Sequence, residues 1–217
     1  LSASHTAFEH AKPGCQGEQC PLFNLDTVSF ADEPALNDAI NAQLLQLARE
    51  GDGAAPASLD VYEKRFLDSA QPGWSFYLQA KIREQHDGLV IIELSSYRFT
   101  GGAHGIPGRA YLNYDRDKGR LLSLDDLLLP DGETAFWQQA ELAYQAWLKA
   151  NGLDQDLQYQ AEWPFVRTAN VALLRDSVML KYEVGRIAPY ASGHPELRIP
   201  YARLNGILKP IYFPSSR

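Results

Sequence analysis

Between residues 74 and 83 the chain alternates strictly. Trp74, Phe76, Leu78, Ala80 and Ile82 are apolar, and Ser75, Tyr77, Gln79, Lys81 and Arg83 lie between them. Successive strand side chains point to opposite faces, so this period of two predicts a half-buried strand. Asp87-Gly88 follows, a dipeptide that accepts positive φ at both positions of a two-residue hairpin turn. Residues 89–100 return as the partner strand. A third strand is predicted over 109–114, where Ala110, Leu112 and Tyr114 alternate with Arg109, Tyr111 and Asn113. Asp117-Lys118-Gly119 then turns the chain toward Arg120-Leu121-Leu122. The pattern is that of an antiparallel meander with one packed and one wet face.

Helical spacing governs other stretches. Leu36, Ile40, Leu44 and Leu47 form one stripe, behind Asp32 as the expected N-cap and Pro34 in the first turn. A second helix is predicted from Ser58 to about Ser69, with Val61, Tyr62, Phe66 and Leu67 inward. Ser123-Leu124-Asp125-Asp126 resembles a capping box ahead of one helical turn, which gives its acidic pair a structural role at a positive helix end. A long helix is predicted from Glu133 to Asn151-Gly152, burying Phe136, Ala140, Ala143, Tyr144 and Trp147. Strands flank Arg175-Asp176-Ser177, residues 185–195 read as a loop, 202–208 as a short helix, and 209–213 as an edge strand. A strand is also expected over 21–30. The fold class is α+β: a twisted antiparallel sheet with helices packed mainly on one face. Residues 1–20 are expected to be an irregular arm. Residues 21–217 are expected to form a single domain, with an N-terminal lobe over about 21–72 and a sheet-rich remainder over 73–217.

The densest local signal is Thr100-Gly101-Gly102-Ala103-His104-Gly105, between two strands. Glycine allows positive φ and close backbone approach, so a tight, shaped connection is expected there, holding His104 at a sheet edge. A histidine on such a loop suits a general base or a metal ligand, but a backbone hydrogen bond is the more economical role. Tyr190 and His194, in the loop containing Ser192-Gly193, either line a groove or pin the loop. Tyr77, Tyr97 and Tyr111 are expected on the face opposite the core, either as anchors for protein or sugar contacts or as cross-strand packing under a helix or the N-terminal arm. Glu93 and Glu183 are expected to point outward or to pair with Lys or Arg. No phosphate loop, dinucleotide turn, nucleophile elbow or His-Glu-x-x-His motif occurs. No catalytic residue is assigned and no cofactor is expected.

Cys15 and Cys20 are the only cysteines among 217 residues. They enclose a short polar loop with Gly17, which fits a disulfide and an oxidising compartment. The alternatives are free thiols or a metal-binding arm of His5, His10, Cys15 and Cys20. The net charge is −7, which disfavours nucleic acid and favours encounter with a basic partner. No run approaches the ~18 apolar residues of a membrane span. Residues 1–5 lack the features of a signal peptide, and the chain does not start with Met, consistent with an export signal removed upstream.

Two motifs carry a resemblance. The first is Tyr97-Arg98-Phe99-Thr100-Gly101-Gly102-Ala103-His104-Gly105 with Leu121-Leu122-Ser123-Leu124-Asp125-Asp126-Leu127. The second is Ile187-Ala188-Pro189-Tyr190-Ala191-Ser192-Gly193 with Ile199-Pro200-Tyr201. Together they resemble the extracytoplasmic domain of unknown function 3298 family, with a 4163-type N-terminal half, from about Pro21 to the end. Gly185-Arg186 departs from the aromatic–acidic pair of that pattern. The resemblance implies an envelope module, as in the ectodomain of a lysozyme-sensing anti-sigma factor, beside a peptidoglycan deacetylase domain, and in Gram-negative lipoproteins. The His-x-x-x-His metal motif of the deacetylases is missing. The implied role is a noncatalytic periplasmic binding or sensing module for lysozyme-like proteins or peptidoglycan, reaching the membrane only through a lipid anchor upstream of Leu1. The alternative is a glycan-acting enzyme with a cleft around His104 and Tyr190.

Overall fold

The computed structural model describes residues 1–215. Its sheets contain β1 (Ser4–Ala11), β2 (Leu22–Ser29), β3 (Ser75–His86), β4 (Leu89–Phe99), β5 (Ile106–Asp115) and β6 (Arg120–Leu121), hydrogen-bonded in that order, and separately β7 (Val171–Leu173), β8 (Val178–Lys181) and β9 (Glu196–Ile199). The helices are α1 (Pro34–Ala48), α2 (Leu59–Ser69), α3 (Leu124–Leu127), α4 (Glu133–Ala150) and α5 (Leu157–Glu162). The α+β class is as expected, but the larger sheet is mixed. Strands β2 and β3 pair in parallel, Leu22 opposite Ser75 through Asp26 opposite Gln79. A parallel pair needs a long crossover, and α1 and α2 supply it.

The chain divides into two compact units. The first comprises Leu1–Arg83 and Ile92–Ala110; the second comprises Glu84–Ile91 and the chain from Tyr111 on. The expected irregular arm contains β1, which pairs antiparallel with β2 along its whole length, Ser4 with Ser29 to Ala11 with Leu22. Most of its side chains are exposed, so backbone pairing rather than burial makes it a strand.

In the first unit, aromatic rings form the core. Phe76 of β3 has its centroid 5.1 Å from Tyr62, 5.8 Å from Phe66 and 5.9 Å from Phe23. Leu36, Ile40, Leu44 and Ala48 are the buried stripe of α1. Leu47 is only half-buried, one position off the stripe. Glu33, not Asp32, is the N-cap, and it makes no side-chain cap bond. Asn37 instead clasps Phe30, accepting from its N–H at 2.8 Å and donating to its carbonyl at 2.7 Å. In α2, Ser58 caps Val61 N–H and Tyr62, Phe66 and Leu67 are buried, while Val61 faces solvent. Cys15 and Cys20 form a disulfide. The loop that it closes is tied down by Gly73 N–H on the Gln19 carbonyl at 2.7 Å.

In the second unit, α4 buries Phe136, Trp137, Ala140, Ala143, Tyr144 and Leu148 in a core with β7, β8 and β9. Trp147 only packs against it. Buried Asn113 imitates a strand: it donates to the Val171 carbonyl at 2.7 Å and accepts from Leu173 N–H at 2.9 Å. The capping box forms as read, Ser123 and Asp126 bonding reciprocally. The Arg120 guanidinium and Ser123 hold the Asp126 carboxyl well below the usual range. Residues 196–199 form β9, and the expected edge strand at 209–213 is a 3-10 turn, Pro210–Tyr212.

The hairpin turn takes the expected form, with φ of 50° at Asp87 and 77° at Gly88. Asp87 accepts a hydrogen bond from the Ser215 hydroxyl and pairs with His86 Nδ1 at 2.9 Å. Those contacts, Ser215 foremost, hold its carboxyl down at about 2, against an ordinary value of 3.8. A lowered carboxyl contributes stability above its unfolded pKa and loses it as pH falls through the folded value. Asp87→Asn keeps the shape and the tolerance of positive φ. The melting temperature of the native chain should exceed that of D87N at pH 7, with the gap closing between pH 4 and pH 2; a gap independent of pH would refute this role.

Candidate functional site

The three glycines of the loop meet two different requirements. Gly101 and Gly102 have φ of 95° and 92°, where L side chains are strained. Gly105 is needed for space: a Cβ there would come within 2.3 Å of the Tyr97 ring. The Tyr97 hydroxyl accepts a hydrogen bond from Gly105 N–H at 3.1 Å. The loop is therefore closed by its own preceding strand, and His104 stands exposed on it.

Arg98, next along β4, points into the first unit. Its guanidinium donates to the Tyr62 hydroxyl at 2.7 Å, to the Ala48 carbonyl at 3.0 Å and to Glu50 at 3.1 Å. It also lies 4.6 Å from the Phe76 ring centroid, a cation–π distance. Burial raises the Tyr62 hydroxyl above its ordinary value, and Arg98 opposes that rise. Beside Arg98 opens a cleft of about 530 Å3, lined by Arg49, Glu50 and Gly51 after α1, Phe66 and Ser69 of α2, Trp74, Thr100 and Ile106. Thr100 and Ile106 bracket the glycine loop, so the loop forms the cleft's rim. One wall is apolar: Trp74 and Phe66 stack obliquely at 6.5 Å, and Ile106 is 68% exposed. The other wall is charged. The cleft's carboxylate, Glu50, is ion-paired to Arg98.

The six surface residues expected from the sequence fall in both units. Tyr97 is 40% exposed. Tyr77 is half-buried, and its hydroxyl is raised above the usual value by burial and by the Asp26 carboxylate, which it also hydrogen-bonds. Tyr111 is a correction: it is 8% exposed and belongs to the core of the second unit, because both faces of that part of β5 are covered. Tyr190 is exposed on a 3-10 turn, Tyr190–Ser192. His194 Nδ1 lies 3.1 Å from the Tyr182 carbonyl, which fits a pin for its loop. Glu93 takes the second of its two expected roles: buried on β4, it pairs with Arg83 at 3.2 Å and Lys81 at 3.9 Å.

The four residues considered for a metal arm do other work. His5 pairs with Asp26, His10 with Glu63, and the cysteines with each other. Among the described residues, no group of three or more His, Cys, Asp or Glu is placed to hold a metal. A larger cleft of about 600 Å3 lies in the second unit, lined by Asp125, Asp131, Glu133, Thr134 and Lys209 around Leu128–Gly132. It has no aromatic wall.

Arg98, Arg49 and Trp74 were not singled out from the sequence as functional. Arg98 had a signal: continuing the inward period of Ile92, Leu94 and Ser96 puts a guanidinium on a buried face. Arg98→Met keeps the stem and removes the donors, leaving the Tyr62 hydroxyl and Ala48 carbonyl unsatisfied. Denaturant unfolding should show a loss of about 3 kcal/mol; a loss within about 0.5 kcal/mol would remove Arg98 as an organiser. Gly105→Ala should cost about 1 kcal/mol by expelling the Tyr97 ring. The Tyr97 ring resonances should shift in that variant, and unchanged resonances would contradict the contact.

Comparison with known proteins places this geometry. Residues 125–202 match the family model described as "Protein of unknown function (DUF3298)". A DUF3298 family protein of Pseudomonas aeruginosa PAO1, known from its crystal structure, is 61% identical, with 100% of this chain and 98% of that one covered and a TM-score of 0.96. A DUF3298 family member from Bacteroides fragilis NCTC 9343 is 21% identical with a TM-score of 0.77, over 98% of this chain and 96% of its own, and shares the fold. The peptidoglycan-N-acetylmuramic acid deacetylase PdaC of Bacillus subtilis (strain 168) is 26% identical over 131 residues, which are 59% of this chain and 28% of that enzyme. Identity of 61% along the full length of a family protein, with the same fold, settles the membership: this chain belongs to the DUF3298 family.

Proposed function

We propose that this protein is a noncatalytic binding or sensing module of the cell envelope that recognises peptidoglycan or the lysozyme-like proteins that act on it. The observation that carries the reading is the cleft of the first unit. It sets an aromatic wall against two guanidinium groups, with its carboxylate neutralised by Arg98. Such a lining binds and orients a ligand. General acid–base chemistry instead calls for titratable groups poised to exchange protons.

A link to the cell wall is supported by the likeness to PdaC, whose name gives peptidoglycan N-acetylmuramic acid as what it acts on. The matched segment is 59% of this chain and 28% of that enzyme, so a shared binding element is a simpler inheritance than the whole activity. The net charge of −7 supports lysozyme-like partners, since basic proteins are drawn to an acidic surface. The disulfide suits an oxidising compartment, in keeping with a periplasmic location and a lipid tether upstream. A second reading, an enzyme acting on cell-wall glycan, draws on the same relative.

The test is direct. Purified chain is sedimented with insoluble peptidoglycan sacculi and titrated calorimetrically with a c-type lysozyme at low and moderate salt. Saturable binding in either assay supports the module, and lysozyme binding should weaken as salt rises. Absence of binding in both overturns it. Release of acetate or of soluble fragments from the sacculi would replace it with the enzymatic reading.

A further inference from the structure

We propose that the cleft beside Arg98 is a binding site for a carboxylate-bearing saccharide, with Trp74 as its sugar platform and Arg49 as its carboxylate partner. The inference rests on the peptidoglycan branch of the function proposed above and assigns it a place and a ligand chemistry.

Size comes first. The cleft volume of about 530 Å3 lies within the range of small-ligand sites, ~300–1,000 Å3. The apolar wall comes next. Trp74 is half-buried, with one side of its ring held by Phe66. Ile106 is among the most exposed large apolar residues of the chain. A pyranose has an apolar C–H face and a hydroxylated rim, and an amphipathic indole beside an aliphatic residue matches that division.

Charge decides the class. Arg49 and Arg98 line the cleft together with Glu50, two arginines to one carboxylate, within a chain of net charge −7. Arg98 is already engaged by Glu50, Tyr62 and Ala48. Arg49 is exposed, at the C-cap of α1. The carbonyl end of a helix ordinarily repels an anion. Here Arg98 donates to the Ala48 carbonyl, which offsets that repulsion and leaves the Arg49 guanidinium to set the local sign. A guanidinium fork matches a carboxylate in two parallel hydrogen bonds. A neutral saccharide fills the apolar wall but offers Arg49 no anion. An amino sugar with an acidic ether, as in N-acetylmuramic acid, satisfies both walls.

The glycine loop gains a purpose. Its ends, Thr100 and Ile106, border the cleft, and its glycines let it fold back on Tyr97. The rim is therefore shaped before any ligand arrives, which lowers the ordering cost of binding.

The experiment is calorimetric titration of the full chain with two disaccharides: one of N-acetylglucosamine and N-acetylmuramic acid, and the neutral N-acetylglucosamine dimer. The acidic disaccharide should bind at least about tenfold more tightly. Arg49→Ala should bring its affinity down to that of the neutral sugar, and Arg49→Lys should recover only part of it. Trp74→Leu should weaken both sugars. Arg49 is exposed, so R49A should melt with the native chain, and that melt is the folding control. Equal binding of the two sugars, or an R49A variant that binds as the native chain does, overturns the assignment. If neither disaccharide binds while the chain still sediments with sacculi, the cleft assignment falls and the module reading stands. If the sacculi are not bound either, the peptidoglycan branch falls with it.

Discussion

Holding the partly buried guanidinium of Arg98 is the constraint around which the first unit is arranged. A charge drawn largely out of water is destabilising unless it is paired and hydrogen-bonded. Arg98 meets that demand by drawing on α1 through the Ala48 carbonyl, on α2 through the Tyr62 hydroxyl, on the turn after α1 through Glu50, and on β3 through the Phe76 ring. Each of those groups is in turn satisfied by Arg98. Two helices and two strands are thereby held in one register, and the cleft is the space left where they meet.

The glycine loop follows from the same residue's neighbours. Tyr97 and Arg98 are adjacent on a strand, so they point to opposite faces. Arg98 organises the interior while Tyr97 closes the loop from outside by its contact with Gly105. Three glycines serve two needs there, positive φ at Gly101 and Gly102 and bare space at Gly105.

The second unit gives a different reason for a recurring motif. The family model covers residues 125–202, which lie in that unit. In the stretch from Ile187 to Tyr201, Ile187 and Ala188 are buried, His194 meets the Tyr182 carbonyl, and the Tyr201 hydroxyl donates to the Leu174 carbonyl. These contacts anchor an irregular segment to a small sheet. Packing accounts for that signature, whereas the cleft is made by residues of the first unit.

Local pattern determined much of this protein. The alternation from Trp74 to Arg83, the Asp87-Gly88 turn, the capping box at Ser123 and the long helix at Glu133 all formed where the residues indicated, because each depends on neighbours within a few positions. The close cysteine pair and the special shape of the glycine loop were legible for the same reason. Tertiary structure decided the rest. β1 is a strand only because β2 offers it a backbone partner, so no apolar alternation marked it. The parallel pairing of β2 with β3 is set by where two helices carry the chain. The alternation points Tyr111 outward, but a strand buried on both faces has no outward side. The cleft, above all, draws residues from positions 49 to 106. A sequence written in one dimension places Arg49, Trp74 and Arg98 far apart, and only packing brings them to one cleft.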